Sequence, residues 1–121
     1  MRILIADDSE LVRRGVAGLL SSEPDWGVCG EAKDGLEAVM KARELLPDLI
    51  LLDLSMPGMS GLDAARLLRQ DVPQAKILMM SQHDAVQLLP SVVAAGGDGC
   101  VDKSRLATDL LVSIKRIGAG N

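Results

Sequence analysis

The chain has 121 residues, 48% of them hydrophobic and 25% charged, a length and balance that suit one globular domain with a sizeable core. Lys and Arg number 13 against 17 Asp and Glu, and the resulting net charge of −4 argues against direct nucleic-acid contact by this domain. No apolar run approaches the ~18 residues that would cross a membrane, and "MRILIADDSE" (1–10) meets two aspartates before a signal-peptide core can form, so the expected location is cytoplasmic.

In chain order, "RILIAD" (2–7) reads as a strand, and residues 10–21 as a helix capped by Ser9. That helix carries Leu11, Val12, Val16, Leu19 and Leu20 on one stripe. "WGVCGEA" (26–32) is a second strand, followed by a helix over 35–45 that turns Leu36, Val39, Met40 and Ala42 inward and is stopped by Pro47. "DLILLD" (48–53) is the third strand, and "SGLD" (60–63) is a capping box opening a helix to about Gln70. "KILMMS" (76–81) is the fourth strand. Pro90 would break an interior turn, so the next helix is expected to begin late, with Pro90 in its first turn and 82–88 as loop. "GCVD" (99–102) is the fifth strand, and Ser104 is expected to cap a helix over 105–117 that buries Leu106, Leu110, Leu111, Ile114 and Ile117. "GAGN" (118–121) reads as a fraying end, and the basic residues of "KRIGAGN" (115–121) as complements to a helix dipole.

Residues 3–6, 49–52 and 77–80 are apolar at successive positions, which requires burial on both faces of a central parallel strand. Strands alternating with helices imply an α/β fold: a doubly wound five-stranded parallel sheet in the order 2-1-3-4-5, helices on both faces. Ligands of such sheets bind beyond the carboxyl ends of the strands, where the order reverses between strands 1 and 3. With one Trp, no Tyr and no Phe, the core is aliphatic. Cys29 and Cys100 are too far apart for a CxxC motif and read as buried free thiols.

Five polar residues fall at that edge: Asp7 and Asp8 after strand 1, Asp53 ending strand 3, Ser81 ending strand 4, and Lys103 after strand 5. Singly each has an ordinary explanation: a helix-start charge for Asp8, a strand-end hydroxyl for Ser81, a solvated amine for Lys103. Together, three clustered carboxylates would repel unless a cation neutralises them, and a hard oxygen set with room for water suits Mg²⁺. Beside such an ion Asp53 can attack phosphorus and form an aspartyl-phosphate. Lys103 then offers a point charge, and Ser81 a hydroxyl, to the phosphoryl oxygens.

The motifs "ADDS" (6–9), "DGLEA" (34–38), "PDLILLDLSMPGMSGLD" (47–63), "MMSQHD" (79–84) and "AAGGDGCVDK" (94–103) resemble the response-regulator receiver family of two-component signalling across essentially the whole chain. "PDWGVCGEAKDGLEAV" (24–39) is further similar to the LuxR/FixJ-type subfamily, whose members often carry a C-terminal helix-turn-helix domain. The resemblance implies a flavodoxin-like (βα)5 fold, residues 1–121 as a single receiver domain without an effector domain, and phosphorylation of Asp53 by a sensor histidine kinase. It implies that Asp8 and Asp53 bind Mg²⁺ directly, Asp7 through water, and the Ser55 backbone carbonyl completes the protein ligands. Ser81 and Lys103 would read the phosphoryl group, and the face made by helix 4, strand 5 and helix 5 would change shape for a partner. The subfamily also implies a homodimer.

Three departures follow. Cys100 stands where the family usually has an aromatic switch residue, so a ring swing there is excluded. Ser104 follows Lys103 in place of the family's usual cis-proline, and a trans bond is expected. No effector domain follows residue 121, leaving a stand-alone receiver or the receiver half of a LuxR-type regulator. Two other classes stay open. An aspartate-nucleophile phosphohydrolase would need an acid where Ser55 stands, and a cap domain. A pseudo-receiver would bind partners without phosphorylation. His83 reads as a solvated loop residue.

Overall fold

The computed structural model describes residues 1–82 and 84–118; the expectations for His83 and for residues 119–121 lie outside the described residues. Five strands, β1 (Arg2–Ala6), β2 (Gly27–Ala32), β3 (Leu49–Asp53), β4 (Lys76–Ser81) and β5 (Gly99–Asp102), alternate with five helices. The helices are α1 (Glu10–Leu20), α2 (Gly35–Leu45), α3 (Gly61–Asp71), α4 (Ala85–Ala94) and α5 (Leu106–Arg116). All pairings are parallel and the order is β2-β1-β3-β4-β5, as the strand pattern implied. Among the described residues, no helix is long and apolar enough to cross a membrane.

Successive apolar residues of the central strands divide between two cores, which is why those strands read as unbroken hydrophobic runs. Leu4, Ala6, Ile50, Leu52, Ile77 and Met79 pack under α2, α3 and α4, while Ile3, Ile5, Leu49, Leu51, Leu78 and Met80 pack under α1 and α5. Each such fully buried Leu, Ile or Met side chain contributes about 1.5–3 kcal/mol relative to exposure. Cys29 and Cys100 are free thiols, half-buried rather than buried.

Ser9, Asp34 and Ser60 cap α1, α2 and α3, each side chain accepting from a backbone N–H three residues on. The capping box at Ser60 is only half made, because Asp63 turns to Arg66 at 2.8 Å instead of reaching back. Leu46 takes the left-handed conformation (φ 50) that ends α2 before Pro47. Leu11, Leu36 and Met40, expected inward, are exposed at 79%, 60% and 58%. The inner stripes belong instead to Val16 and Leu20, and to Ala38, Val39 and Ala42, small side chains that bring α2 close to the sheet.

Two helix starts differ from expectation. α4 begins at Ala85 and carries Pro90 in its interior. Proline there removes one helical hydrogen bond, to the carbonyl of Val86. Val86 and Pro90 both face solvent, where water can take that carbonyl. The start is held from outside the helix, as Ala85 N donates to Asp102 Oδ1 at 2.9 Å. Ser104 does not cap α5: a single 3-10 turn, Lys103–Arg105, precedes it and Arg105 occupies the cap position with its guanidinium on Asp109 rather than in a side-chain cap bond. Leu110 and Ile114 are buried by α5, with Leu106, Leu111 and Ile117 partly so. Lys115, at its basic end, also pairs with Glu23 at 2.6 Å and lies 5.9 Å from the Trp26 ring centre.

Candidate functional site

The sequence places three acids at the switch point, and the backbone makes them converge. β1 ends at Ala6, so Asp7 and Asp8 lie where the chain is already leaving the strand and need not face opposite ways. Asp7 N stays in the sheet by donating to Ala32 O at 3.0 Å, which turns its carboxylate into the crevice. Asp7, Asp8 and Asp53 each offer an oxygen within 4.8 Å of the others; Asp7 and Asp53 are buried, Asp8 exposed.

Lys103 reaches into this cluster, its Nζ 2.7 Å from Asp7 Oδ2 and 3.1 Å from Asp53 Oδ1. Asp53 Oδ1 also accepts from Ser55 N at 3.1 Å, while the buried Oδ2 accepts no hydrogen bond among the described residues. Asp7 Oδ1 accepts from Ser9 N at 2.8 Å. The exit of β3 is braced by Leu54 N to Met80 O and Gly61 N to Leu54 O, each 2.9 Å. Arg13, with its guanidinium on Asp7 O at 2.6 Å and on Glu31 at 2.8 Å, holds the other rim.

Burial pushes the Asp53 carboxyl above its ordinary range; the Ser55 N–H works against this, Asp7 adds to it, and Lys103 opposes it without prevailing. Burial alone would lower the Lys103 ammonium, but Asp7 and Asp53 outweigh it and hold it above its ordinary range. One ammonium is shared by two buried carboxylates, and an orphaned oxygen faces the same space. That donor set fits a hard divalent cation with vacant positions for water.

Ser81 is buried at the end of β4, but its hydroxyl is turned to Asp102 Oδ1 at 3.2 Å rather than to Asp53. Cys100 lines a cleft of about 370 Å³ together with Val86, Asp102, Arg105 and Val112. Burial pushes its thiol up, and the neighbouring Asp102 carboxylate reinforces this, so the environment favours the protonated thiol. The Lys103–Ser104 bond is trans, as expected. Sequence reasoning missed Asp102 and Arg13. For Asp102 the signal is its register with Ser81 across β4 and β5, which exists only once the strands are paired.

A family model for the response regulator receiver domain matches residues 3–115. The response regulator protein VraR of Staphylococcus aureus is 37% identical over 120 residues, a match covering 99% of this chain and 57% of that protein. The chain thus spans little more than half the length of the curated relatives it matches. Among solved structures, a LuxR-family two-component response regulator from Aurantimonas sp. SI85-9A1 aligns with a TM-score of 0.91 and 36% identity, over 99% of this chain and 86% of that one. The signal receiver domain of the putative response regulator NarL from Mycobacterium tuberculosis aligns with a TM-score of 0.88 and 32% identity, over 99% and 97%.

Proposed function

The chain belongs to the response regulator receiver domain family, and from that premise we propose that it accepts a phosphoryl group on Asp53 from a sensor histidine kinase. The observation that carries this is the state of Asp53: a buried strand-end carboxylate with one oxygen held by Ser55 N–H and Lys103, and the other without a hydrogen-bond partner among the described residues. The free oxygen attacks phosphorus as the bond to the donor's imidazole nitrogen breaks, and the nitrogen keeps the electron pair. Lys103 balances charge on one phosphoryl oxygen. Ser81 donates to another once it has turned from Asp102. Catalysis of this kind is mostly positioning and electrostatics.

Asp8 and Asp53 are assigned as direct Mg²⁺ ligands, Asp7 as a ligand through water, and the Ser55 carbonyl as the remaining protein ligand. When bound, the ion offsets charge on the phosphoryl oxygens. The protein promotes only its own phosphorylation and dephosphorylation, so its output is a change of the face formed by α4, β5 and α5, carried by Ser81 and the segment around Cys100. Residues 1–121 act as a single receiver domain in the cytoplasm, without direct nucleic-acid contact and as a homodimer by subfamily resemblance. The 57% span of the VraR relative favours a second description of the same activity, in which this is the receiver portion of a LuxR-type DNA-binding regulator.

The test is intact mass after incubation with Mg²⁺ and a small phosphodonor. One phosphoryl adduct on the wild type, absent in Asp53→Asn and absent when chelator is added first, is the expected result. No adduct on the wild type would leave the pseudo-receiver reading in its place.

A further inference from the structure

A serine hydroxyl has one proton to donate, and here that of Ser81 goes to Asp102. The two residues end β4 and β5 and are register partners across the parallel pair. Ser81 Oγ therefore reaches Asp102 Oδ1 at 3.2 Å, and because a carboxylate can only accept, the direction of the bond is fixed. The same Oδ1 accepts from Ala85 N at 2.9 Å, the first residue of α4. One oxygen thus joins the strand-end hydroxyl to a helix start.

Among the described residues, that helix start has little else to hold it. Asp84, at its cap position, makes no side-chain cap bond and sits at φ 61, outside the conformation a capping residue adopts. The Asp102 carboxylate supplies from β5 the acceptor and the negative charge that a helix N-terminus ordinarily takes from its own cap.

We propose that Asp102 is a positioning residue that latches Ser81 away from the phosphoryl site, and that its release is what transmits phosphorylation to α4. This rests on Asp53 being the phosphoacceptor. The Ser81 proton cannot serve Asp102 and a phosphoryl oxygen at once, so the two bonds are mutually exclusive. Capture of Ser81 by the phosphoryl group takes one of the two donors from Asp102 Oδ1, and the backbone of Ala85 shares that oxygen. When only a fraction of molecules has Ser81 free, apparent affinity for a phosphoryl group falls by that fraction. Loosening the latch therefore tightens binding without altering any group that touches the phosphoryl.

Calorimetric titration of the whole chain with beryllofluoride and Mg²⁺ tests this, using Asp102→Ala and Asp102→Asn in both Ser81 and Ser81→Ala backgrounds. Asp102→Ala should bind about tenfold more tightly than wild type, as expected for loss of one hydrogen bond to a charged acceptor. Asp102→Asn keeps one acceptor oxygen, able to take both Ser81 Oγ and Ala85 N, but not the charge, so its gain should be smaller, about threefold. In Ser81→Ala both gains should vanish, because the latch has nothing left to hold. Unchanged or weaker affinity in folded Asp102 variants would overturn the proposal. So would an equal gain in Ser81→Ala, which would mean that only a repelling charge had been removed. Should Asp102→Ala fail to fold, Asp102→Asn, which preserves the acceptor for Ala85 N, decides alone by the same criteria. A wild type that binds no beryllofluoride would overturn the phosphoacceptor reading itself, and the latch with it.

Discussion

Gly61 opens α3 directly behind the phosphoacceptor strand, and replacing it with alanine sets two effects against each other. Alanine is the better helix former by about 0.8–1.0 kcal/mol in a helix interior. Its Cβ, however, would lie 2.3 Å from the carbonyl oxygen of Asp53, 2.7 Å from Leu54 Cα and 2.9 Å from Leu54 O, all backbone atoms. Relief to ordinary contact near 3.4 Å requires a shift of roughly 1 Å. That shift falls on the Gly61 N to Leu54 O hydrogen bond and on the backbone that carries Asp53. Overpacking of this kind costs about 1–3 kcal/mol, so sterics should win over propensity. Set against the propensity gain, the expected net destabilisation is up to about 2 kcal/mol, which lowers Tm by as much as roughly 10 °C for a domain of this size. A misplacement of ~1 Å at a reacting group can cost on the order of 10²-fold in rate, so phosphorylation should slow further than the melting change alone would suggest. Differential scanning fluorimetry and timed intact-mass measurements with excess phosphodonor and Mg²⁺ read the two effects separately. A Gly61→Ala protein that melts within about 1 °C of wild type and acquires phosphoryl at the wild-type rate would refute the reasoning.

Gly15 and Gly18 lie on the exposed side of α1 with nothing within 4 Å of an added Cβ, so Gly15→Ala and Gly18→Ala should each stabilise by about 0.5–1 kcal/mol in chemical denaturation. Asp53→Asn should raise Tm at neutral pH without Mg²⁺, because burial and Asp7 disfavour the ionised carboxyl. A carboxyl raised above its unfolded value of 3.8 contributes stability below that value and loses it as pH rises through the folded pKa. The variant's advantage should therefore shrink as pH falls towards the unfolded value, and an advantage that grows on acidification would contradict the assignment. Arg69 donates to Gly96 O, Pro73 O, Ala75 O and Asp98, tying the α3–β4 and α4–β5 connections together. Arg69→Ala should cost about 2–3 kcal/mol in urea denaturation, and Arg69→Lys should recover little, since an ammonium cannot reproduce the fork. Added Mg²⁺ should raise the wild-type Tm and leave Asp53→Asn nearly unchanged if the acidic cluster is the binding site.

Strand number, order and burial were legible because backbone periodicity is a local property. Unbroken runs such as Leu49–Leu52 and Ile77–Met80 are apolar on both faces only when both faces are covered. The acids, Ser81 and Lys103 were legible because a doubly wound sheet brings the carboxyl ends of its strands to one edge. Leu11, Leu36 and Met40 were misplaced because hydrophobicity does not say which half of an apolar helix meets the sheet, and small alanines were needed where α2 lies close. Pro90 misled for a related reason: its local cost is real, but the N-terminus of α4 is fixed by Asp102, seventeen positions beyond Ala85 in sequence. Where the Ser81 proton goes, and that Asp102 and α4 share one oxygen, was decided only by tertiary structure. Hydrogen bonds across paired strands depend on register, and register is set by how whole strands pack rather than by the residues that end up facing each other.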